Sequence, residues 1–161
     1  MFTHNLDPVL LHLGPLQIRY YGLVYVLGFI LAYLVLERYR KAGKISLTKE
    51  QLSDLIFYLM VGVIVGSRLG IVLLWNPGYY LANPLEIFAI WKGGMAFHGG
   101  FIGAIVATYI YARKMNLNFL KLADILCIPA ALALALGRIA NFINAELVGT
   151  VTNISWCVNF P

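Results

Sequence analysis

The chain has 161 residues, of which 61% are hydrophobic and 12% are charged. A soluble domain carries about 25% charged residues, so this composition excludes an ordinary water-facing surface and indicates an integral membrane protein. The formal net charge is +5, but the basic residues cluster in two loops between apolar runs. That distribution favours anionic membrane lipids over nucleic acid as their partner. The sequence therefore predicts one all-α membrane domain over residues 1–161, a polytopic bundle of about four transmembrane helices with interfacial segments.

The first half of the chain contains two predicted spans. Residues 1–19 alternate loosely between apolar and polar positions and contain two prolines, which predicts a short interfacial segment rather than a cleavable signal peptide. A first spanning helix is predicted over Tyr20–Leu36 and is followed by a basic run. Thr48 and Gln51 have the spacing of a capping box, which predicts the start of a second spanning helix over Leu52–Trp75.

The second half contains an aromatic segment and two further predicted spans. Residues 76–92 contain two prolines and several aromatic residues, which predicts a re-entrant or interfacial excursion with Trp and Tyr at headgroup level. The third span is predicted over Gly94–Ala112 and the fourth over Leu120–Phe142. Lys and Arg flank the first and third loops, so the positive-inside rule predicts that these loops are cytoplasmic. The N-terminus, the excursion and the polar segment Arg138–Gly149 are then expected on the extracytoplasmic side.

His98 lies in a glycine-rich segment, residues 93–103, in which five of eleven residues are glycine. Glycines let another helix or a lipid approach the backbone closely. A histidine is the side chain best suited to move a proton at physiological pH. The alternative is a helix-packing segment whose histidine bonds a carbonyl group, and the residues leave both interpretations open.

Arg138 follows an apolar stretch, residues 125–136, that contains no charged residue. Its planar guanidinium matches a phosphate group in two-point fashion, and Asn141 and Asn144 follow at i+3 steps on the same helix face. This pattern predicts a phosphate headgroup site. The alternative is an arginine that reaches the interface beside Glu146 and forms a structural ion pair.

Two further residues in apolar surroundings could carry a function. Arg68 lies in a small-residue stripe with Gly66 and Gly70 that suits close helix contact, and an arginine at this depth is expected to meet a carboxylate, a phosphate or water. Tyr21 is explained either by anchoring in the aromatic belt or by a hydroxyl directed into the bundle. No spacing of Cys and His indicates a metal site, and the two cysteines are not expected to form a disulfide.

Together, these motifs resemble the prolipoprotein diacylglyceryl transferase family. The resemblance implies a multi-pass enzyme of the cell membrane, with its active face extracytoplasmic. It implies transfer of a diacylglyceryl group from phosphatidylglycerol to the lipobox cysteine thiol of a prolipoprotein, with formation of a thioether and release of glycerol phosphate. No cofactor and no metal ion are expected. The matching stretches cover essentially the whole chain in order: residues 7–23, 66–70, 93–103 and 137–149.

The resemblance also suggests roles for individual residues. His98 matches a histidine proposed as the base toward the thiol, and Arg138 matches an essential arginine assigned to the lipid headgroup. Asn141, Glu146 and Gly149 match signature residues that line the same site, and Tyr21 matches a tyrosine important near the headgroup region. The predicted catalytic set is His98, Tyr21 and Glu146, and the predicted headgroup-binding set is Arg138, Asn141, Gly149 and Arg68.

Members of the family usually continue with further helices, a His-Pro-Ser-Gln…Glu motif and a second essential arginine, which have no counterpart before Pro161. The expectation is therefore the N-terminal portion of such a bundle. Two other classes stay open at this point. One is a non-catalytic lipid-binding module that needs a partner half. The other is a transporter fragment with Arg68 and Asp124 on a permeation path, against which the absence of an internal repeat argues.

Overall fold

The computed structural model describes residues 2–13 and 16–160, with the side chains of residues 12–13, 16–19, 21 and 92 outside the description. Most of the described chain is helical, which confirms the predicted all-α class. A π-helical turn extends the second helix, and two 3₁₀ turns follow the third. In order, the helical elements are α1 (Tyr20–Lys41), α2 (Lys49–Gly70), the π turn (Ile71–Trp75), α3 (Pro77–Ala82), the 3₁₀ turns (Pro84–Phe88 and Ile90–Lys92), α4 (Phe97–Lys114) and α5 (Phe119–Ile143).

Three helical segments among the described residues are long and apolar enough to cross a membrane: Gly22–Lys41, Lys49–Trp75 and Phe119–Ile143. The sequence predicts about four, and α4 accounts for the difference. This helix has 18 residues, with His98 near its start and Arg113 and Lys114 at its end. These polar residues lower its hydropathy, but its 18 residues are within the range of about 17–25 that a spanning helix needs, and it packs antiparallel to α2. Helix α4 therefore remains the candidate for the fourth span.

Short strands lie near both termini: β1 (Phe2–Thr3), β2 (Val9–Leu13), β3 (Leu16–Arg19) and β4 (Val158–Asn159). Strand β2 pairs with β3 in antiparallel fashion. Strand β1 pairs in parallel with β4. The predicted interfacial segment thus contains β structure, and its loose two-residue alternation is the period typical of a strand.

The chain forms two compact units. Residues 1–35 and 128–161 form one of them, called here the terminal unit, and residues 36–127 form the other, the central unit. Helices α1 and α5 each contribute to both, because each unit boundary falls within one of these helices. Some of the predicted site residues lie in the terminal unit and the others lie in the central unit.

In the central unit, α2 and α4 pack against each other in antiparallel fashion through facing glycines. A Cβ atom placed on Gly62 would lie 2.6 Å from the carbonyl oxygen of Gly103, and one on Gly70 would lie 2.9 Å from the Cβ atom of Ala96. Real Cβ atoms do not approach other atoms this closely, so glycine is required for the observed helix separation. The prediction that this stripe supports close helix contact is confirmed.

The beginning of α2 is fixed by the predicted capping box. The Gln51 amide donates to Thr48 Oγ1 at 3.2 Å, and the Thr48 amide donates to Gln51 Oε1 at 2.8 Å. The Tyr111 hydroxyl of α4 donates to the Gln51 carbonyl at 2.6 Å, and its side chain is fully buried. The Tyr111 bond connects the last turns of α4 to the first turn of α2.

Candidate functional site

The polar end of α5 is shaped by a left-handed turn. Ala145 has φ +54°, the Glu146 amide donates to the Asn141 carbonyl at 2.9 Å, and the Ala145 amide donates to the Phe142 carbonyl at 3.1 Å. This pattern is typical of a Schellman-type helix end, in which the residue after the cap is left-handed. The turn brings Glu146 back beside the last turn of the helix.

A cavity of about 290 Å³ lies at this helix end, within the terminal unit. Such a volume is at the lower limit of the roughly 300–1,000 Å³ of small-molecule pockets, so it suits a small polar group better than a large ligand. Three segments form its wall: the end of α5, the turn that follows, and the C-terminal segment around β4. The lining residues are Arg138, Asn141, Phe142, Glu146, Leu147, Val148, Gly149, Val158 and Phe160.

The charged groups of this cavity have few partners inside the protein. Arg138 is exposed, and no hydrogen bond or ion pair links its guanidinium to any described residue. The Glu146 carboxylate accepts one long bond, 3.5 Å, from Asn144 Nδ2. The ion pair between Arg138 and Glu146, left open as an alternative above, does not form in this structure. Both groups therefore retain capacity to bind a ligand.

An aromatic cluster supports the back of the cavity. The His4 ring lies 5.3 Å from the Phe142 ring and 5.1 Å from the Phe160 ring, measured between centroids. The His4 amide donates to the Asn159 carbonyl at 2.8 Å, which continues the pairing of β1 with β4. His4 is 3% exposed. The first residues of the chain thus hold the C-terminal part of the cavity wall in place.

In the central unit, His98 is the second residue of α4. Its side chain is exposed, and its ring lies edge-on to that of Phe97 at 5.6 Å. No hydrogen bond links its side chain to a described residue. The alternative interpretation, a histidine bonded to a carbonyl group, therefore does not apply to this structure. The first turn of a helix carries partial positive charge, which stabilises an anion formed beside it.

Arg68, near the end of α2, is 5% exposed and meets backbone rather than the expected carboxylate, phosphate or water. Its Nε atom donates to one carbonyl oxygen at 2.9 Å, Nη1 to two at 2.6 and 3.0 Å, and Nη2 to two at 2.6 and 3.2 Å. A guanidinium has five N–H groups, so the full set is used. The acceptors are the carbonyls of Ile87, Gly93, Gly94, Glu86 and Ala89, in that order.

The structure thus brings some of the predicted site residues together. Four of them line one cavity in the terminal unit: Arg138, Asn141, Glu146 and Gly149. His98 and Arg68 belong to the central unit, and they are described there by themselves. The predicted catalytic Tyr21 has its side chain outside the described residues. The roles assigned to these residues stay predictions.

Sequence reasoning missed the back wall of the cavity. Val158, Phe160 and His4 carry no motif, and the pairing of β1 with β4 joins segments more than 150 residues apart. The one available signal was the polar-aromatic composition of the last dozen residues. Composition of this kind does not specify a partner segment.

Apolar spanning helices, a glycine-packed helix pair and a polar cavity at a helix end define a multi-pass membrane protein with a small polar site. Comparison with protein families narrows this class. The chain matches the model of the prolipoprotein diacylglyceryl transferase family over residues 8–161, and it belongs to this family.

Curated relatives agree. The chain is 50% identical over 161 residues to the phosphatidylglycerol–prolipoprotein diacylglyceryl transferase of Geobacter sulfurreducens, covering 99% of this chain and 61% of the relative. It is 51% identical to the enzyme of the same name from Chromobacterium violaceum, covering 100% and 58%, respectively. The corresponding protein of Rickettsia canadensis is 45% identical, with coverage of 100% and 62%. The chain therefore spans about 60% of the length of these relatives.

Proposed function

We propose that this protein takes part in the transfer of a diacylglyceryl group from phosphatidylglycerol to the lipobox cysteine of a prolipoprotein, at the cell membrane. One observation carries the proposal. The cavity at the end of α5 is lined by an arginine, an amide and a carboxylate that are largely unpaired within the protein. The names of relatives at about 50% identity support the same reaction.

Arg138 and Asn141 are proposed to hold the lipid headgroup. A guanidinium without internal partners can donate two parallel hydrogen bonds to a phosphate. The cavity volume of about 290 Å³ suits a glycerol phosphate group, with the acyl chains remaining in the membrane. Glu146 can accept hydrogen bonds from headgroup hydroxyls, and the exposed backbone of Gly149 completes the wall.

His98 is proposed to act as the base toward the thiol. It takes the proton from the cysteine, and the resulting thiolate attacks the glycerol carbon that carries the phosphoester oxygen. The carbon–sulfur bond forms as the carbon–oxygen bond breaks, and glycerol phosphate leaves. The departing phosphate gains negative charge, which Arg138 stabilises. Tyr21 is proposed to present its hydroxyl near the headgroup.

The proposed orientation follows from the charges of the loops. Basic residues at the end of α1 and at the end of α4 favour a cytoplasmic location for those ends. The N-terminus and the polar segment Arg138–Gly149 are then extracytoplasmic, where a secreted precursor presents its cysteine. A cysteine placed at Asn144 or at Lys44 tests this, in a background without Cys127 and Cys157. An impermeant thiol reagent added outside cells should label the first and spare the second.

The reaction is tested by transfer of labelled lipid to a lipobox peptide. The full chain is mixed with radiolabelled phosphatidylglycerol and the peptide, and thioether product is counted. His98→Gln is expected to lower kcat by about 10²–10⁴-fold, and Arg138→Lys by about 10²-fold. Arg113→Lys, which changes an exposed arginine at the end of α4, is the matched control and should leave the rate unchanged.

Two results would contradict the proposal. One is transfer that continues at the wild-type rate in both His98→Gln and Arg138→Lys. The other is a wild-type chain that binds phosphatidylglycerol yet transfers nothing to the peptide, which is the behaviour of a lipid-binding module.

A further inference from the structure

We propose that Arg68 is a positioning residue for His98 and does not bind the lipid headgroup. It fixes the segment between α3 and α4, and thereby the point at which α4 begins. The role of His98 in this inference rests on the proposed function, whereas the fixing of the segment by Arg68 can be tested without it.

The guanidinium of Arg68 has no donor left for a phosphate. Each of its five N–H groups is used by a main-chain carbonyl, over distances of 2.6–3.2 Å. The group also lies over the Tyr80 ring, 5.2 Å from its centroid, a distance typical of a cation–π contact. To reach a headgroup, Arg68 would have to give up these hydrogen bonds, including the one to the buried Ala89 carbonyl, which is costly to leave unpaired.

These carbonyls all belong to one irregular segment, residues 86–94. This segment contains no long helix or sheet in which its carbonyls could pair. Five of them accept hydrogen bonds from the Arg68 side chain instead. Gly93 has φ +83° and Gly94 has φ +76°, a conformation that costs little only for glycine. With both residues in this conformation, their carbonyls both reach Nη1 of Arg68.

The same part of α2 also holds the start of α4. The Ala96 amide donates to the Ser67 carbonyl at 3.0 Å, and Ser67 directly precedes Arg68. On the next turn, Gly70 faces Ala96 and Gly99 so closely that a Cβ atom would lie 2.9 Å from Ala96 Cβ. In sequence, His98 lies between the two anchored residues at the start of α4, Ala96 and Gly99. Its own side chain has no hydrogen bond to a described residue. Its place is therefore set by the anchoring of the backbone around it.

Lysine cannot replace arginine in this arrangement. An ammonium group has three donors on one nitrogen, whereas the five carbonyls surround three nitrogens of a planar fork. A headgroup phosphate bound in two-point fashion would also lose a bond to lysine, and that loss would appear as weaker lipid binding. Arg68→Lys therefore separates the two roles, because loss of the fork alters the segment in the first case and the affinity for lipid in the second.

Amide hydrogen exchange measures the fixing of the segment directly. In the full chain in detergent, Arg68→Lys is expected to speed exchange of the amides in residues 86–98 by at least about tenfold, with α5 unchanged. Gly94→Ala keeps the arginine but places a Cβ atom 3.2 Å from Arg68 Nη1. It should therefore have the same effect on exchange. Gly43→Ala is the control for backbone strain, because Gly43 also has positive φ but no neighbour within 4 Å. Unchanged exchange in Arg68→Lys and in Gly94→Ala would overturn the inference.

The transfer assay then tests the consequence for His98. Arg68→Lys and Gly94→Ala should lower kcat and leave the KM for phosphatidylglycerol unchanged, whereas Gly43→Ala should change neither. A raised KM with normal kcat in Arg68→Lys would show a headgroup ligand and contradict the inference. A wild-type chain without transfer would contradict the proposed function, and the exchange experiment would still decide whether Arg68 fixes the segment.

Discussion

The two units of this protein contain two arginines with opposite surroundings. In the central unit, Arg68 is buried and its five N–H groups are bonded to main-chain carbonyls. In the terminal unit, Arg138 is exposed beside a cavity and has no hydrogen bond or ion pair to a described residue. Both are cations in an apolar stretch of sequence, and by sequence alone both are equally suggestive of a functional role.

The difference shows how a structural cation is distinguished from a ligand-binding one. A charge whose donors are all used internally stabilises the fold, and it has little to offer a ligand. A charge with unused donors at a cavity is poorly explained by the fold alone. The same logic separates Glu146, with one long hydrogen bond, from groups that the protein satisfies completely.

The sharpest contrast between the arginines should appear in stability. Arg68→Met leaves one buried and four partly buried carbonyls without their donor, and a fully buried group of this kind costs about 1–3 kcal/mol. The free energy of unfolding is expected to fall by about 4 kcal/mol or more. Arg138→Met removes no internal bond and should change it by less than about 0.5 kcal/mol. Unfolding by SDS titration in mixed micelles measures both values, and equal losses would remove the distinction.

Substitution of glycine by alanine should likewise destabilise the protein in the central unit and not in the terminal unit. Gly62→Ala places a methyl group 2.6 Å from the Gly103 carbonyl oxygen, so α2 and α4 must move apart at a cost of about 1–3 kcal/mol. Gly137→Ala in α5 meets nothing within 4 Å and should stabilise the helix by about 0.8–1 kcal/mol. Thermal denaturation of the two variants provides the comparison. A tolerated Gly62→Ala would mean that the helix pair is not limited by close contact.

The turn beside the cavity, at Ala145, should be strained, and a glycine at this position should relieve the strain. Ala145 has φ +54°, and the left-handed conformation costs about 1–2 kcal/mol for a residue with a Cβ atom. Ala145→Gly is therefore expected to raise the free energy of unfolding by about 1 kcal/mol. Ala42→Gly, at a position without positive φ, should lower it slightly because the unfolded chain gains freedom. If both substitutions destabilise the protein equally, the turn is not strained.

The smallest expected effect is a difference in fluorescence quenching at the aromatic segment before α4. Trp91 is 79% exposed and Leu85 is 84% exposed, and such side chains suit the interface between headgroups and acyl chains. In a protein that retains Trp91 as its single tryptophan, lipids brominated near the headgroup should quench fluorescence more than lipids brominated near the chain end. Stronger quenching by the deeper bromine would favour a re-entrant segment over an interfacial one.

Local patterns were enough to predict much of the fold. The capping box at Thr48 and Gln51 depends on residues three apart, and it forms as the spacing indicates. The long apolar runs give α1, α2 and α5, because length and hydropathy suffice for a spanning helix. The i+3 spacing of Arg138 and Asn141 likewise anticipates that they share one surface.

Features that depend on distant backbone groups could not be predicted. The acceptors of Arg68 are main-chain carbonyls, which every residue has, so no residue type marks them. The pairing of β1 with β4 and the contact of His4 with Phe160 join the two ends of the chain. Two-residue strands of this kind leave no periodicity to detect. Helix α4 begins three residues later than the predicted third span, because Gly93 and Gly94 before it have positive φ.

Retention of phosphatidylglycerol by the full chain in native mass spectrometry tests the central claim most directly, because it needs no turnover. Arg138→Met is expected to lower the bound fraction by at least about tenfold, since charge-assisted bonds to a phosphate contribute about 1.5–3 kcal/mol. Arg68→Lys should retain the lipid as the wild type does, and Arg113→Met serves as the control. Wild-type retention by Arg138→Met, or loss of the lipid from Arg68→Lys alone, would contradict the account.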